Sequence, residues 1–226
     1  MLRLFAPAYL IFTVVSCNAF ADMPKGEYLD GHGSKAGVIL AHGQGLSPTS
    51  HVVDPLRRSI NSQLGLHTLS LQMPVLPGRK SVELFQEYGE TFPEAYKSIQ
   101  SGIDFLKEKG VERIYLMGYS MGARMMTGFL AEHSDPLVVG YIGVGMLGGG
   151  ETPLNTNVNL RKIKIPVLDI YAESDKDAKF AEFRKPFVSE RYVQIPIPGA
   201  THDYRCCEAN VSSYVVKWVA AHEAAK

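Results

Sequence analysis

The chain has 226 residues, 46% of them hydrophobic, and sets 23 Lys plus Arg against 23 Asp plus Glu for a formal charge of zero. That balance, with no basic cluster along the sequence, excludes nucleic acid as an expected partner. Metal-ligand spacing of Cys and His, internal repeats and low-complexity tracts are all missing from the sequence, so neither a structural zinc site nor a repeat architecture is expected.

At the N-terminus, Met1-Leu-Arg3 is a short basic region, Leu4 to Val15 is an uncharged apolar core, and Ala19-Phe20-Ala21 is a small-x-small cleavage site. The pattern predicts a signal peptide over 1–21 and a mature domain over 22–226. The apolar run is shorter than the roughly 20 residues of a spanning helix, so no transmembrane segment is expected in the mature chain. A second reading competes with cleavage: Val14-Val-Ser-Cys17 has the form of a lipobox, which would leave a lipid anchor on Cys17. Both readings send the protein out of the cytoplasm, either to the periplasm or medium or to the envelope as a lipoprotein. The remaining chain of about 205 residues suits one domain with a substantial core.

Strand-like runs then alternate with longer helical patterns, which predicts a mostly parallel sheet covered on both faces. In chain order the expected elements are strand Val38–Ala41, helix Pro55–Leu64, strand His67–Leu71, a helical turn near Glu83–Tyr88 and helix Thr91–Lys109. Strand Ile114–Met117, helix Met121–His133, strand Val139–Gly143, strand Val167–Tyr171, strand Tyr192–Ile197 and helix Glu208–His222 follow. Within the second long helix, Phe92, Ala95, Tyr96, Ile99, Ile103 and Leu106 recur at helical spacing and are read as core contacts.

The most informative stretch is Ile114-Tyr-Leu-Met-Gly118-Tyr-Ser120-Met-Gly122-Ala, an apolar strand entering Gly-x-Ser-x-Gly before a helix. That order is the one a nucleophile elbow requires, with a serine on a strained strand-to-helix turn. Side chains at 118 or 122 would collide with the neighbouring strand or helix. The pentapeptide alone is weak evidence, and three further segments strengthen it. Val38-Ile-Leu-Ala-His42-Gly43-Gln44-Gly45 is a strand opening into a glycine-bearing loop, where Gln44 would supply one oxyanion N–H and Met121 the other. His42 is read as ordering that loop by hydrogen bonds. Ile165-Pro-Val-Leu-Asp-Ile-Tyr171-Ala-Glu-Ser-Asp175 is a strand ending in acidic residues. Asp175 is the candidate acid, with Asp177 and Glu173 as fallbacks and Asp169 a structural carboxylate inside the strand. Tyr192-Val-Gln-Ile-Pro-Ile-Pro-Gly199-Ala-Thr-His202-Asp places a histidine directly beyond the last strand.

The residue types need one another. A serine hydroxyl is a poor nucleophile until a histidine takes its proton, and a carboxylate orients that imidazole and stabilises its charged form. For substrate contacts, the loop Gln72-Met73-Pro-Val-Leu76-Pro-Gly-Arg79-Lys80 offers Met73 and Leu76 to an acyl group, with Arg79 or Lys80 available to an anion. Its plain reading is an ordinary Pro/Gly loop with solvated charges. Leu147, in Gly143-Val-Gly-Met-Leu-Gly-Gly-Gly150, is a further substrate-binding candidate on a segment that moderates access. Cys206 and Cys207 are adjacent, leaving two thiols, a vicinal disulfide or intermolecular pairing open; the plainer reading is two partly buried residues starting the last helix.

These motifs resemble the α/β-hydrolase superfamily over nearly the whole mature chain. The resemblance implies a single α/β-hydrolase domain without a large cap, with Ser120 as nucleophile, Asp175 as acid, His202 as base, and Gln44 and Met121 as oxyanion donors. More narrowly, His67-Thr-Leu-Ser-Leu-Gln-Met-Pro74 and Phe92-Pro-Glu-Ala-Tyr-Lys97 resemble a bacterial family of α/β-hydrolase-like envelope proteins, which implies no substrate. Tyr119 replaces the common histidine before the serine, and Ala172 stands where many relatives have glycine before the acid turn. The expected function is an exported serine hydrolase cleaving small-molecule carboxylic esters or thioesters through an acyl-enzyme, with no cofactor called for. The competing expectation is a non-catalytic envelope protein that keeps the fold for binding.

Overall fold

Apolar residues make up most of the runs that form strands. The computed structural model, which describes residues 22–77, 84–176 and 178–225, gathers seven of these runs into one sheet. In chain order the strands are β1 (Gly26–Leu29), β2 (Ala36–Ala41), β3 (His67–Leu71), β4 (Arg113–Tyr119), β5 (Val138–Val144), β6 (Val167–Ala172) and β7 (Tyr192–Ile197). Their spatial order is β1-β3-β2-β4-β5-β6-β7. β1 runs antiparallel to β3, and every other neighbouring pair is parallel.

The sequence reading omitted β1. Gly-Glu-Tyr-Leu is only 4 residues long and half-exposed on the sheet edge, so it lacks the alternating apolar pattern that flags a strand. The other strands agree with expectation to within two residues at each end, and β3 and β7 have the expected ends.

Alternate residues of the parallel strands face opposite layers. Val38, Leu40, Tyr115, Met117, Leu168 and Ile170 pack against α1 (Val53–Leu64) and α7 (Glu208–Ala224). Ile39, Leu69, Leu71, Ile114 and Leu116 pack instead against α3 (Phe92–Glu108) and α4 (Met121–Glu132). In α3 the buried positions include Phe92, Ala95, Ile99, Ile103 and Leu106, with Tyr96 partly buried beside them, as the helical spacing predicts. The helical turn expected near Glu83–Tyr88 is α2 (Leu84–Glu87), continued by a 3-10 turn over Tyr88–Thr91.

Between β5 and β6 lies only α5 (Thr156–Asn159) and a 3-10 turn at Leu160–Lys162, and α6 (Lys179–Glu182) follows β6. No cap domain is built among the described residues. The expected signal peptide and lipobox, Arg79, Lys80 and Asp177 lie outside the described residues.

Cys206 and Cys207 are joined by a vicinal disulfide just before α7. Of the pairings the sequence left open this is the vicinal one, and the expectation of two partly buried residues is met at Cys207 and not at Cys206. Cys206 is exposed while Cys207 packs against the α1–α7 core.

Candidate active site

β4 runs between β2 and β5 near the middle of the sheet and ends at Tyr119, so the next residue stands at the carboxyl edge of the strands. That residue is Ser120, with φ 54° and ψ −113°, a conformation non-glycine residues rarely adopt. Three backbone bonds hold it there: its N–H donates to Val144 O at 3.1 Å, and its carbonyl accepts from Ala123 N at 3.1 Å and Arg124 N at 3.3 Å. The flanking glycines let β4 and α4 come this close. A Cβ at Gly118 would lie 2.5 Å from Ala123 Cα, and one at Gly122 would lie 2.4 Å from Ala41 O.

His202, in the turn after β7, places Nε2 2.9 Å from Ser120 Oγ. Its ring stacks on Tyr119 at 5.6 Å between centroids, and the Tyr119 hydroxyl donates to His202 O at 2.8 Å. Burial pushes the Tyr119 hydroxyl well above its ordinary pKa, so it remains a donor. On the far side of the imidazole, Nδ1 lies 2.9 Å from Asp175 Oδ2. The distance is that of a charge-assisted pair, although Nδ1 makes no well-aligned hydrogen bond among the described residues. The turn carrying Asp175 is tied to the His202 loop by Glu173 N to Ile197 O at 3.2 Å and Ser174 N to Ala200 O at 3.1 Å. Acid and imidazole are therefore positioned as one unit.

Ser120, His202 and Asp175 open onto a cavity of about 600 Å³ that Gln44 and Leu147 also line. Met121 begins α4 immediately after Ser120, where a helix leaves its first N–H groups without intrahelical acceptors. Neither the Gln44 nor the Met121 N–H donates to another described residue.

Two expected substrate contacts fall elsewhere. Met73 is 2% exposed and packs in the α3–α4 core, and Leu76 packs against that same core. The physical reason is that the loop after β3 is pinned inward. His42 Nε2 accepts from Met73 N at 3.1 Å, and the Tyr88 hydroxyl accepts from Leu76 N at 3.3 Å. The apolar lining comes instead from Leu46, Phe85 and Tyr119 beside Leu147. Of these only Tyr119 carried a sequence signal, its place next to the serine.

His42 has the structural role expected of it. Nδ1 donates to Gly43 O at 2.9 Å while Nε2 accepts from Met73 N, which fixes a neutral tautomer. Burial holds its pKa below the ordinary histidine value. Asp169 is likewise structural: fully buried, it accepts from Arg184 Nε at 2.8 Å, Tyr192 at 2.9 Å and Gln194 at 2.9 Å. Glu173, a fallback acid, has an exposed side chain. His51 also lines the cavity, and its ring meets Tyr119 edge-on at 6.2 Å.

No curated protein sequence matches this chain. Among solved structures, Est1E from Butyrivibrio proteoclasticus with ferulic acid bound is similar with a TM-score of 0.66 at 18% identity, covering 88% of this chain and 95% of that one. The esterase domain of a Rhodothermus marinus protein is similar with a TM-score of 0.59 at 15% identity, covering 81% and 86%. An alpha-beta serine hydrolase homologue from Coxiella burnetii gives 0.58 at 18% identity, covering 86% and 88%. Residues 34–225 match the family described as alpha/beta hydrolase domain, and the chain belongs to that family.

Proposed function

We propose that the protein is a serine esterase that opens carboxylic esters through an acyl-enzyme on Ser120. The observation that carries this reading is the short chain of contacts from Ser120 Oγ to His202 Nε2 at 2.9 Å and from His202 Nδ1 to Asp175 Oδ2 at 2.9 Å. As Oγ attacks the ester carbonyl, Nε2 takes its proton, and Asp175 stabilises the imidazolium that forms. The oxyanion is met by the Gln44 and Met121 N–H groups, each donor of this kind contributing roughly 3–4 kcal/mol in the transition state. Collapse expels the alcohol, which takes the proton from Nε2. Water then repeats the sequence on the acyl-enzyme and restores Ser120. A thioester fits the same steps with a thiol leaving group.

The cavity volume of about 600 Å³ supports a small-molecule substrate. The esterase domain of the Rhodothermus marinus protein, on a similar fold, supports the ester class. We further propose that the protein is exported, either cleaved after Ala21 or lipid-anchored at Cys17. The bonded Cys206–Cys207 pair supports an oxidising compartment.

The test is intact mass after treatment with a fluorophosphonate, which reports an activated serine without a guess at the substrate. One adduct on the wild type and none on Ser120→Ala is the expected result. An unlabelled, well-folded wild type would overturn the esterase reading.

A further inference from the structure

Behind the cavity wall that carries Leu147, the segment between β5 and α5 is held by an unusual number of bonds to its own carbonyls. Arg184, fully buried, donates to Met146 O at 3.1 Å. Arg124, 3% exposed, donates to Gly148 O at 2.8 Å, to Gly149 O at 2.9 Å and to Leu154 O. Asn155 Nδ2 donates to Gly150 O at 3.0 Å. From Met146 to Gly150, every carbonyl except that of Leu147 is thus engaged by a side chain. At the start of the segment, Gly145 N donates to Ile170 O at 2.8 Å. There Gly145 to Leu147 lie against Asp175 and His202, leaving a void of only about 10 Å³, room for at most one water.

Arg124 sits one helical turn beyond Ser120, and its backbone N–H closes the bond to the Ser120 carbonyl. Its guanidinium also lies 4.3 Å from the centroid of Phe85, another residue of the cavity wall. One buried cation therefore connects the serine turn to Phe85 and to the loop that carries Leu147. A guanidinium is costly to bury unless its donors are satisfied, and here one loop turns three carbonyl oxygens onto it. The loop conformation and the arginine specify each other, so the wall cannot swing outward without stranding donors and acceptors together.

Resting on the esterase reading above, we propose that Arg124 is a positioning residue that fixes the Leu147 loop as the acyl-side wall, so that the site selects esters of short acyl chains. A longer chain must displace a wall clamped at Met146, Gly148, Gly149, Gly150 and Leu154.

The experiment compares wild type with Arg124→Lys and Arg124→Met in two readouts: kcat/KM for p-nitrophenyl butyrate against decanoate, and amide hydrogen exchange over residues 145–154. Lysine is a point donor that cannot span three carbonyls, and methionine keeps the bulk without any donor. Wild type is expected to favour butyrate by about tenfold or more, and either variant to compress that ratio about fivefold. Exchange over 145–154 is expected to speed up about tenfold while β4 and β5 stay protected. A fall in both esters by the same factor, or a wild-type preference for decanoate, would overturn the proposal, because a merely structural role moves both substrates alike. Unchanged exchange over 145–154 would overturn it as well. If the wild type neither hydrolyses the esters nor takes the fluorophosphonate, the esterase reading fails separately, and the exchange arm alone decides whether Arg124 holds the loop.

Discussion

A serine hydroxyl 2.9 Å from an imidazole gains reactivity only if the imidazole presents an unprotonated nitrogen to it. At the scale of single residues the proposed mechanism gives that task to Asp175, whose carboxylate is within 2.9 Å of His202 Nδ1. Asp175→Asn keeps the volume and removes the charge, so it lets the ring settle in the wrong tautomer and leaves the imidazolium without compensation. Ester turnover is expected to fall by about a thousandfold or more with little change in KM. Near wild-type kcat in this variant would show that another acid serves His202. The three residues of this site were legible because chemistry constrains both their types and their chain order, and each follows a readable strand. Met73 and Leu76 were misread because side-chain direction in the loop after β3 depends on the His42 and Tyr88 bonds, which join segments distant in sequence. Arg124 carried no signal at all: an arginine within a helix reads as solvated until its neighbours are known.

Strand and helix identities were recoverable from pattern because buried parallel strands are continuous apolar runs, and the amphipathic α3 repeats with helical spacing. What pattern does not reveal is how loops are fastened to those elements. β6 carries Asp169 at a fully buried position, and Arg184, beyond α6, closes a two-pronged ion pair with it at 2.8 and 3.1 Å. Tyr192 and Gln194 on β7 add donors to the same carboxylate, so the pair fastens β6, β7 and the α6 segment together. Breaking one side leaves the other charge buried and uncompensated. Asp169→Leu is therefore expected to cost about 3–5 kcal/mol in urea denaturation, whereas Asp169→Leu with Arg184→Met recovers much of that loss. Equal losses in the single and double variants would mean that the bonds from Arg184 to Met146, Asn157 and Phe180, rather than the ion pair, carry the stability.

Across the whole molecule, two cores lie on opposite faces of one sheet, and the edges of that sheet are where buried histidines hold loops to strands. His42 joins the loop after β2 to the loop after β3 at the carboxyl edge. His67, at the amino end of β3, accepts from Gly31 N at 3.0 Å and lies 2.7 Å from the Tyr28 hydroxyl, fixing β1 and the turn after it. Burial lowers both pKa values below the ordinary 6.5, with Asp30 working the other way at His67. Below about pH 6.5 the unfolded chain then binds protons that the folded chain refuses, so stability is complete above that pH and declines as pH falls toward the folded-state values. Each histidine held neutral contributes a slope of at most about 1.4 kcal/mol per pH unit. Carboxylates lose their contribution lower, below about pH 4, which keeps the two windows apart. Urea midpoints are expected to drop between about pH 7 and pH 5 in wild type. They are expected to drop less in His42→Gln, whose amide oxygen can accept from Met73 N without titrating. A flat wild-type profile over that range would mean that His42 and His67 take up protons in the folded state, and that the neutral tautomer assigned to His42 gives way before the fold does.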